Sequence, residues 1–208
     1  MRYFLFASIL ILISCGQPFK DLRVQNEGQW KEFPGLPSFD HALYRCHVEG
    51  RFGFKKFYLS GLLFFKKLED SSNRVIFQNE MGITYFDFSW DRNEQFEVHY
   101  IFQLMDKPAL ILTLRKDIEM LLGINFLKSS EKQFYKDKEH IFRYDLEKGY
   151  VYYYFNEQGD LHKIEHGDHK QKVVNMKVSL NKNDILADNI FIDHLKAGFT
   201  ITLKQLNK

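Results

Sequence analysis

A cluster of potential metal ligands lies near residue 165, where six histidine and carboxylate side chains fall within ten residues. Imidazole nitrogens together with carboxylate oxygens suit zinc or copper, and an extended chain would place His162 and His166 on one face. Lysines in and beside the same stretch would repel a cation, so a solvated polar hairpin is the favoured interpretation and we predict no metal. The six side chains are Asp160, His162, Glu165, His166, Asp168 and His169.

No other pattern in the chain indicates catalysis. The sequence contains no Gly-rich phosphate loop, no Gly-x-Ser-x-Gly elbow, no His-Glu-x-x-His and no Cys-x-x-Cys. The histidines outside the cluster are scattered, without a partner at a diagnostic spacing. We therefore expect a protein that is not an enzyme and needs no cofactor.

The charge balance argues against a nucleic-acid partner. The chain carries 29 basic and 27 acidic side chains, a net charge of +2, whereas nucleic-acid binders usually carry a basic excess on one face. With 208 residues, 45% of them hydrophobic, the chain is large enough for one well-buried core and small for two. Aromatic residues make up 16%, which is typical of β-structure and apolar pockets.

The first fourteen residues have the pattern of a signal peptide. Arg2 is followed by an apolar run from Tyr3 to Ile13, shorter than the roughly 20 residues that span a bilayer but typical of a signal-peptide core. The sequence Leu12-Ile13-Ser14-Cys15-Gly16 resembles the lipobox of bacterial lipoproteins. This resemblance implies that Cys15 is lipidated and holds the mature chain on the outer membrane at its periplasmic face, since Gly16 replaces the Asp of inner-membrane retention. An ordinary cleaved signal is the alternative.

The mature chain divides into a tether and one domain. Residues 15–40 contain three of the four prolines and little periodicity, so they are predicted to be a lipidated N-terminus and tether with a short helix near residues 20–31. Residues 41–208 form the predicted domain. Cys46 is the only cysteine besides Cys15, so no disulfide within the chain is expected.

Alternation of apolar and polar residues dominates residues 41–208 and predicts strands with one buried face. Roughly ten strands in hairpin order indicate a mainly β (α+β) domain with one strongly curved antiparallel sheet. One helix interrupts them, with Asp106 as predicted cap, Pro108 in its first turn and Gly123 at its end. Its apolar stripe predicts packing on the concave face of the sheet; the stripe comprises Leu110, Leu114, Ile118 and Leu121.

Strands 56–66 and 83–90 are apolar on both faces for part of their length. Either both faces are covered, or the concave face holds more apolar surface than the helix can fill, which would make a hollow for acyl chains. Core packing is the simpler explanation for any one of these residues. The residues predicted to line the hollow are Phe57, Leu59, Leu63, Phe65, Val75, Phe77, Phe96, Val98 and Tyr100.

Three segments of these strands together resemble the early strands of LolA/LolB-type lipoprotein-localisation proteins. They are Val48-Glu49-Gly50-Arg51-Phe52, Ser60-Gly61-Leu62-Leu63-Phe64-Phe65 and the run from Arg74 to Ile83, and the closing strands at 189–193 and 199–203 extend the likeness over about residues 42–206. The resemblance implies an unclosed β-barrel wrapped around one or more helices, whose hollow holds the acyl chains of lipoproteins in transit.

Cys15 makes the chain similar to LolB, the outer-membrane receptor of that family. The resemblance implies that it accepts acylated lipoproteins from a periplasmic LolA-like carrier and passes them to the membrane as a monomer. Met81 and Gly82 match a membrane-inserting hairpin turn, with Met81 at the position of a protruding leucine and Glu80 in place of a proline; Met81 folded back on the core is the alternative. A carrier or sensor of another lipid or glycolipid, and a structural lipoprotein without transport activity, remain open.

Overall fold

The computed structural model describes Phe19, Leu22 and residues 33–52, 55–124, 131–168, 170–180 and 186–206. These residues form twelve β-strands, one 3-10 helix and one α-helix. The elements are β1 (His41–Phe52), β2 (Lys55–Lys67), β3 (Asn73–Gln78), β4 (Thr84–Trp90), β5 (Phe96–Ile101), the 3-10 helix Gln103–Met105, α1 (Pro108–Leu122), β6 (Glu131–Lys136), β7 (Glu139–Asp145), β8 (Tyr150–Phe155), β9 (Leu161–Gly167), β10 (Lys172–Leu180), β11 (Ala187–His194) and β12 (Phe199–Gln205).

All twelve strands belong to one antiparallel sheet that does not close. The strand order is β5-β4-β3-β2-β1-β12-β11-β10-β9-β8-β7-β6. Strands that are consecutive in sequence therefore lie side by side, except β5 and β6, which form the two edges of the sheet. The pairing of β1 with β12 joins the two meanders. The predicted mainly β fold with an unclosed sheet is confirmed.

Helix α1 connects the two edges of this sheet. It follows β5 at one edge and precedes β6 at the other, so the chain must cross the space that the curved sheet encloses. Pro108 begins the helix and Gly123, with φ +71°, ends it, as the sequence predicts. The predicted cap is wrong: the residue before the helix is Lys107, and no side chain caps the first turn.

The two ends of the sheet are defined by their connections. At the β1–β2 end lie the connections β1–β2, β3–β4, β7–β8, β9–β10 and β11–β12, together with the start of α1. At the opposite, β2–β3 end lie the connections β2–β3, β4–β5, β6–β7 and β8–β9. Every position along a strand can therefore be assigned to one end or the other.

The core fills the space between α1 and the inner face of the sheet. Buried side chains from β1, β4, β8 and β11, such as Tyr44, Phe88, Tyr153 and Ile190, form one contiguous cluster with Ile118 of the helix. A smaller cluster lies on the outer face of β7 and β8, where Phe19 and Leu22 pack against it. The Phe19 and Tyr152 rings stack at 4.1 Å, so part of the tether docks on the outside of the sheet.

Candidate functional site

The inner face of the sheet is the predicted acyl-binding surface, and the structure buries part of it completely. Leu63, Phe65, Val75 and Phe77 are buried in the main core. Strand alternation explains this, because residues two apart share a face and the whole set follows one register. Whether any of them contacts an acyl chain stays a prediction.

The remaining predicted lining residues lie nearer the surface. Leu59 and Phe96 are partly buried against the core, whereas Phe57 is 38% exposed and Val98 37% exposed. Phe57 lies near the β1–β2 end of β2, beyond the part of that strand that pairs with β3. These residues occupy the margin of the inner face rather than its centre.

Tyr100 does not belong to the inner face, and a β-bulge is the reason. Asp87 pairs with Tyr100 and Phe88 pairs with Val98, so His99 is an extra residue in β5. The insertion reverses the alternation beyond it. Tyr100 consequently shares the face of Asp87 and is 46% exposed, while Ile101 packs against the core.

Helix α1 presents the expected apolar stripe to the core. Leu114, Ile118 and Leu121 are buried and Leu110 is partly buried. The stripe fits because spacings of three and four residues return to the same face of a helix. The C-terminal half of the helix is therefore enclosed by the sheet.

Polar contacts that the sequence analysis missed fasten this half of the helix to the sheet. His194 Nε2 of β11 lies 2.8 Å from Asp117 Oδ2, with only 3% and 4% of these side chains exposed. Trp90 Nε1 donates to Glu119 Oε1 at 3.0 Å. The Tyr153 hydroxyl donates to the carbonyl oxygen of Met120 at 2.8 Å.

The Asp117–His194 pair is incompletely satisfied. Asp117 Oδ1 and His194 Nδ1 are buried and have no hydrogen-bond partner among the described residues. Burial raises the pKa of Asp117, while its hydrogen bond to His194 and the charge of His194 act in the opposite direction. The pair thus holds the helix at a cost in desolvation.

The N-terminal half of α1 is less enclosed than the C-terminal half. Leu112 is exposed, and Leu110 and Ile111 are only partly buried. Tyr85 and Phe102 beside the start of the helix are also partly buried, their backbones joined by the Phe102 N–H donating to the Tyr85 carbonyl at 2.7 Å. We call these partly buried residues, Tyr85, Phe102, Leu110 and Ile111, the apolar mouth.

A cleft of about 550 Å³ lies elsewhere, at the base of the β1–β2 hairpin. Arg51, Lys56 and Tyr58 line it together with Glu49 and Asp193. These residues alternate with the core-facing positions of β1, β2 and β11, so the cleft opens on the outer face of the sheet. Buried side chains of the main core lie between the helix and the sheet, where the sequence predicts the hollow.

The turn between β3 and β4 holds Met81 out in solvent. Met81 is 87% exposed. Asn79 Oδ1 accepts hydrogen bonds from the backbone N–H groups of Met81 at 3.0 Å and Ile83 at 2.8 Å, and Gly82 adopts φ +84°. The alternative in which Met81 folds back on the core is therefore wrong, while its role in membrane insertion stays a prediction.

The histidine and carboxylate cluster separates into ordinary surface and core contacts. His162 is an extra residue in β9 and lies 3.0 Å from Glu139. Glu165 bonds to Lys172 at 2.6 Å and accepts from the Tyr154 hydroxyl at 2.6 Å. Among the described residues no three histidine, cysteine or carboxylate side chains are arranged to hold a metal; His169 lies outside them.

The chain has two cysteines, and the structure describes one of them. Cys46 is buried on the inner face of β1 as a free thiol, and burial raises its pKa to about 12. Cys15, the predicted signal peptide and most of the predicted tether, including nearly all of its predicted short helix, lie outside the described residues. No helix within the described ranges is long and apolar enough to cross a membrane.

Comparisons with known proteins identify the fold. An outer membrane lipoprotein-sorting protein domain from Vibrio parahaemolyticus aligns over 83% of this chain and 86% of its own, with a TM-score of 0.51 and 8% identity. A LolA superfamily protein from Nitrosomonas europaea aligns over 81% of this chain and 85% of its own, with a TM-score of 0.49 and 9% identity. No model of a known protein family and no curated protein sequence matches the chain.

Proposed function

We propose that this protein is an outer-membrane lipoprotein, anchored at the periplasmic face through lipidated Cys15, that binds acyl chains beneath α1. It accepts acylated lipoproteins from a periplasmic LolA-like carrier and passes them to the membrane as a monomer. The fold it shares with the Vibrio parahaemolyticus lipoprotein-sorting domain supports this class of function. Cargo, direction and partner are inferred from the sequence resemblance.

The observation that carries the proposal is the unequal packing of α1. Its C-terminal half is fastened by the Asp117–His194 contact, whereas its N-terminal half borders the apolar mouth. A helix that joins the two edges of an open sheet can swing at its loose end while its fastened end stays in place. Such a movement would admit an acyl chain to the inner face next to Leu59 and Leu110.

Energetics require the transfer to be direct. Exposing acyl chains to water costs about 0.8 kcal/mol per methylene, hence tens of kcal/mol for two or three chains. Each receiver must therefore hold the chains more favourably than the donor. In this scheme the exposed Met81 turn is the part that enters the bilayer when the cargo is released.

A complementation experiment in the native bacterium tests this role. The chromosomal gene is replaced by the Met81→Glu variant, with Met81→Leu as the matched control because it keeps an apolar side chain of similar size. We expect lipoproteins to be mislocalised with Met81→Glu and sorted normally with Met81→Leu. Normal sorting in both the Met81→Glu strain and a deletion strain would refute the proposed role.

An anchored structural lipoprotein of the same fold is the second candidate, and the contiguous core around Ile118 favours it. A glycolipid or another amphiphile as cargo is the third possibility. Organic extraction of protein purified from its own membrane distinguishes them. Recovered acylated peptide supports lipoprotein transport, recovered glycolipid supports a different carrier, and no lipid supports the structural candidate.

A further inference from the structure

The β1–β2 hairpin extends well beyond its neighbours in the sheet. Leu62 is the last residue of β2 paired with β3, so residues 55–61 continue for seven positions past that pairing, about 23 Å at ~3.3 Å per residue. On the other side, the pairing of β1 with β12 ends at Gly50. Residues 51–52 project past β12 and residues 55–61 project past β3, and we call these two segments the arm.

The arm is basic and aromatic. No acidic residue occurs between Glu49 and Glu69. Arg51, Lys55 and Lys56 are exposed, and none of them has an ion-pair partner among the residues that the structure describes. Phe57 and Tyr58 beside them are also exposed. Basic side chains next to exposed aromatic rings suit a membrane–water interface.

Other exposed apolar side chains lie at the same end of the sheet. Met81, Leu104 and Leu195 occupy connections at the β1–β2 end and are 87%, 78% and 50% exposed. In the described connections at the opposite end, acidic side chains outnumber basic ones by seven to two, which disfavours contact with an anionic surface. The acidic residues are Glu69, Asp70, Asp91, Glu94, Asp137, Glu157 and Asp160, and the basic residues are Arg92 and Lys138.

The tether reaches the domain at this end as well. The Phe19 ring lies 3.0 Å from the position that a Cβ atom on Gly167 would occupy. Gly167 is the last residue of β9. Phe19 follows Cys15 by four residues, a reach of at most about 14 Å. A lipid anchor on Cys15 would thus keep the β1–β2 end close to the bilayer.

We propose that the arm binds the surface of an anionic phospholipid bilayer through Arg51, Lys55 and Lys56, with Phe57 and Tyr58 at the interface. The adjoining cleft shares Arg51, Lys56, Phe57 and Tyr58 with the arm, and the carboxylates of Glu49 and Asp193 that also line it disfavour a phosphate inside it. The binding of the arm to the bilayer turns the β1–β2 end, and with it the Met81 turn, toward the membrane. The orientation rests on the proposed lipid anchor; the binding of the arm does not.

The test is a vesicle-flotation measurement on the full mature chain carrying Cys15→Ser, which removes the anchor. Vesicles are either phosphatidylcholine alone or equal parts phosphatidylcholine and phosphatidylglycerol. The test variant is Lys55→Gln/Lys56→Gln. The matched control is Lys66→Gln/Lys67→Gln, which removes the same charge from the other end of the same strand.

We expect the protein to bind the anionic vesicles and not the neutral ones. Each basic residue at an anionic surface changes partitioning by about fivefold, so Lys55→Gln/Lys56→Gln should weaken binding by about 25-fold. The control should weaken it by less than about threefold. Added salt should weaken the binding of the unsubstituted arm.

Three results would overturn the inference: no binding to anionic vesicles, no loss in Lys55→Gln/Lys56→Gln, or equal losses in both variants. If the arm binds an anionic carrier protein but no vesicles, the result counts as absence of vesicle binding and overturns the inference. Acyl-chain binding is measured on the same samples with a diacylated lipopeptide. If the protein binds the lipopeptide but not the vesicles, only the proposed role of the arm is contradicted. If it binds the vesicles but not the lipopeptide, the proposed function is contradicted instead.

Discussion

Separating Asp117 from His194 should reveal how strongly α1 is fastened to the sheet. The two side chains are almost fully buried and share one 2.8 Å contact, and each has one further polar atom without a partner among the described residues. Removing one partner of such a buried pair costs about 3–5 kcal/mol when a charge is left behind. Leaving a neutral polar group unpaired costs about 1–3 kcal/mol.

The two single variants should therefore differ. His194→Phe keeps an aromatic ring stacked on Phe199, which lies 3.9 Å from the His194 ring, but strands the Asp117 carboxylate, so the larger loss is expected. Asp117→Leu leaves no buried carboxylate behind and should cost less. The double variant should recover most of the loss, because apolar groups of similar volume replace buried pairs at little cost.

The loss in His194→Phe should also depend on pH. Burial raises the pKa of Asp117 in the folded protein, so the fold favours its protonated form. A raised pKa contributes stability below the unfolded pKa and loses it as pH rises through the folded value. The deficit of His194→Phe should thus be smaller at pH 5 than at pH 8.

Urea unfolding followed by tryptophan fluorescence gives the free energies, because Trp90 is buried. A double-mutant cycle then isolates the coupling between Asp117 and His194. Single losses that simply add in the double variant would contradict a coupled pair, since they would show lost packing alone. Equal deficits for His194→Phe at both pH values would refute the assignment of charge to Asp117.

Three further predictions concern the sheet itself. Burial raises the pKa of Cys46 from 9.0 to about 12. In the Cys15→Ser protein, Cys46 should therefore react with a disulfide reagent at pH 8 about a thousandfold more slowly than an exposed thiol. Rapid labelling would show instead that solvent reaches the core. Gly61→Ala should destabilise the protein by about 1–3 kcal/mol, because the added Cβ atom would overlap the carbonyl oxygen at the end of β3. Ser60→Ala is the control. Equal unfolding midpoints for the two variants would contradict the expected loss. Burial lowers the pKa of His140 and His166 below 6.5 in the folded protein. As the pH drops through about 6.5, these histidines bind protons more readily in the unfolded chain, so the free energy of unfolding should decrease. This decrease should be smaller in the His140→Gln/His166→Gln variant.

The periodic parts of the sequence predict most of the fold. Alternation places Leu63 and Phe65 on one buried face, and spacings of three and four residues identify α1 with its end at Gly123. Strand β6, with the sequence Glu-Lys-Gln-Phe-Tyr-Lys, escapes prediction because its only buried side chain is Phe134. An edge strand with mostly exposed side chains carries little alternation for the sequence to show.

The register beyond His99 could not be predicted, because a bulge arises from backbone pairing with β4 and leaves no local pattern. The position of Asp117 in the sequence does carry a signal, because Asp117 lies three residues after Leu114 and four before Leu121, on the apolar stripe itself. His194 continues the inner-face series of Ile190 and Ile192 in the same way. An ionisable residue at an apolar position of each element indicates a partner across the core.

The proposed function requires the inner face to accept acyl chains when the loose end of α1 moves. Native mass spectrometry of Cys15→Ser protein mixed with a diacylated lipopeptide tests it directly, with Leu59→Asp as the variant on the inner-face margin and Leu43→Asp as a control on the outer face of β1. We expect a one-to-one complex that persists in Leu43→Asp and is lost in Leu59→Asp, with both variants folded by circular dichroism. No complex with the parent protein, or equal binding by both variants, would contradict it.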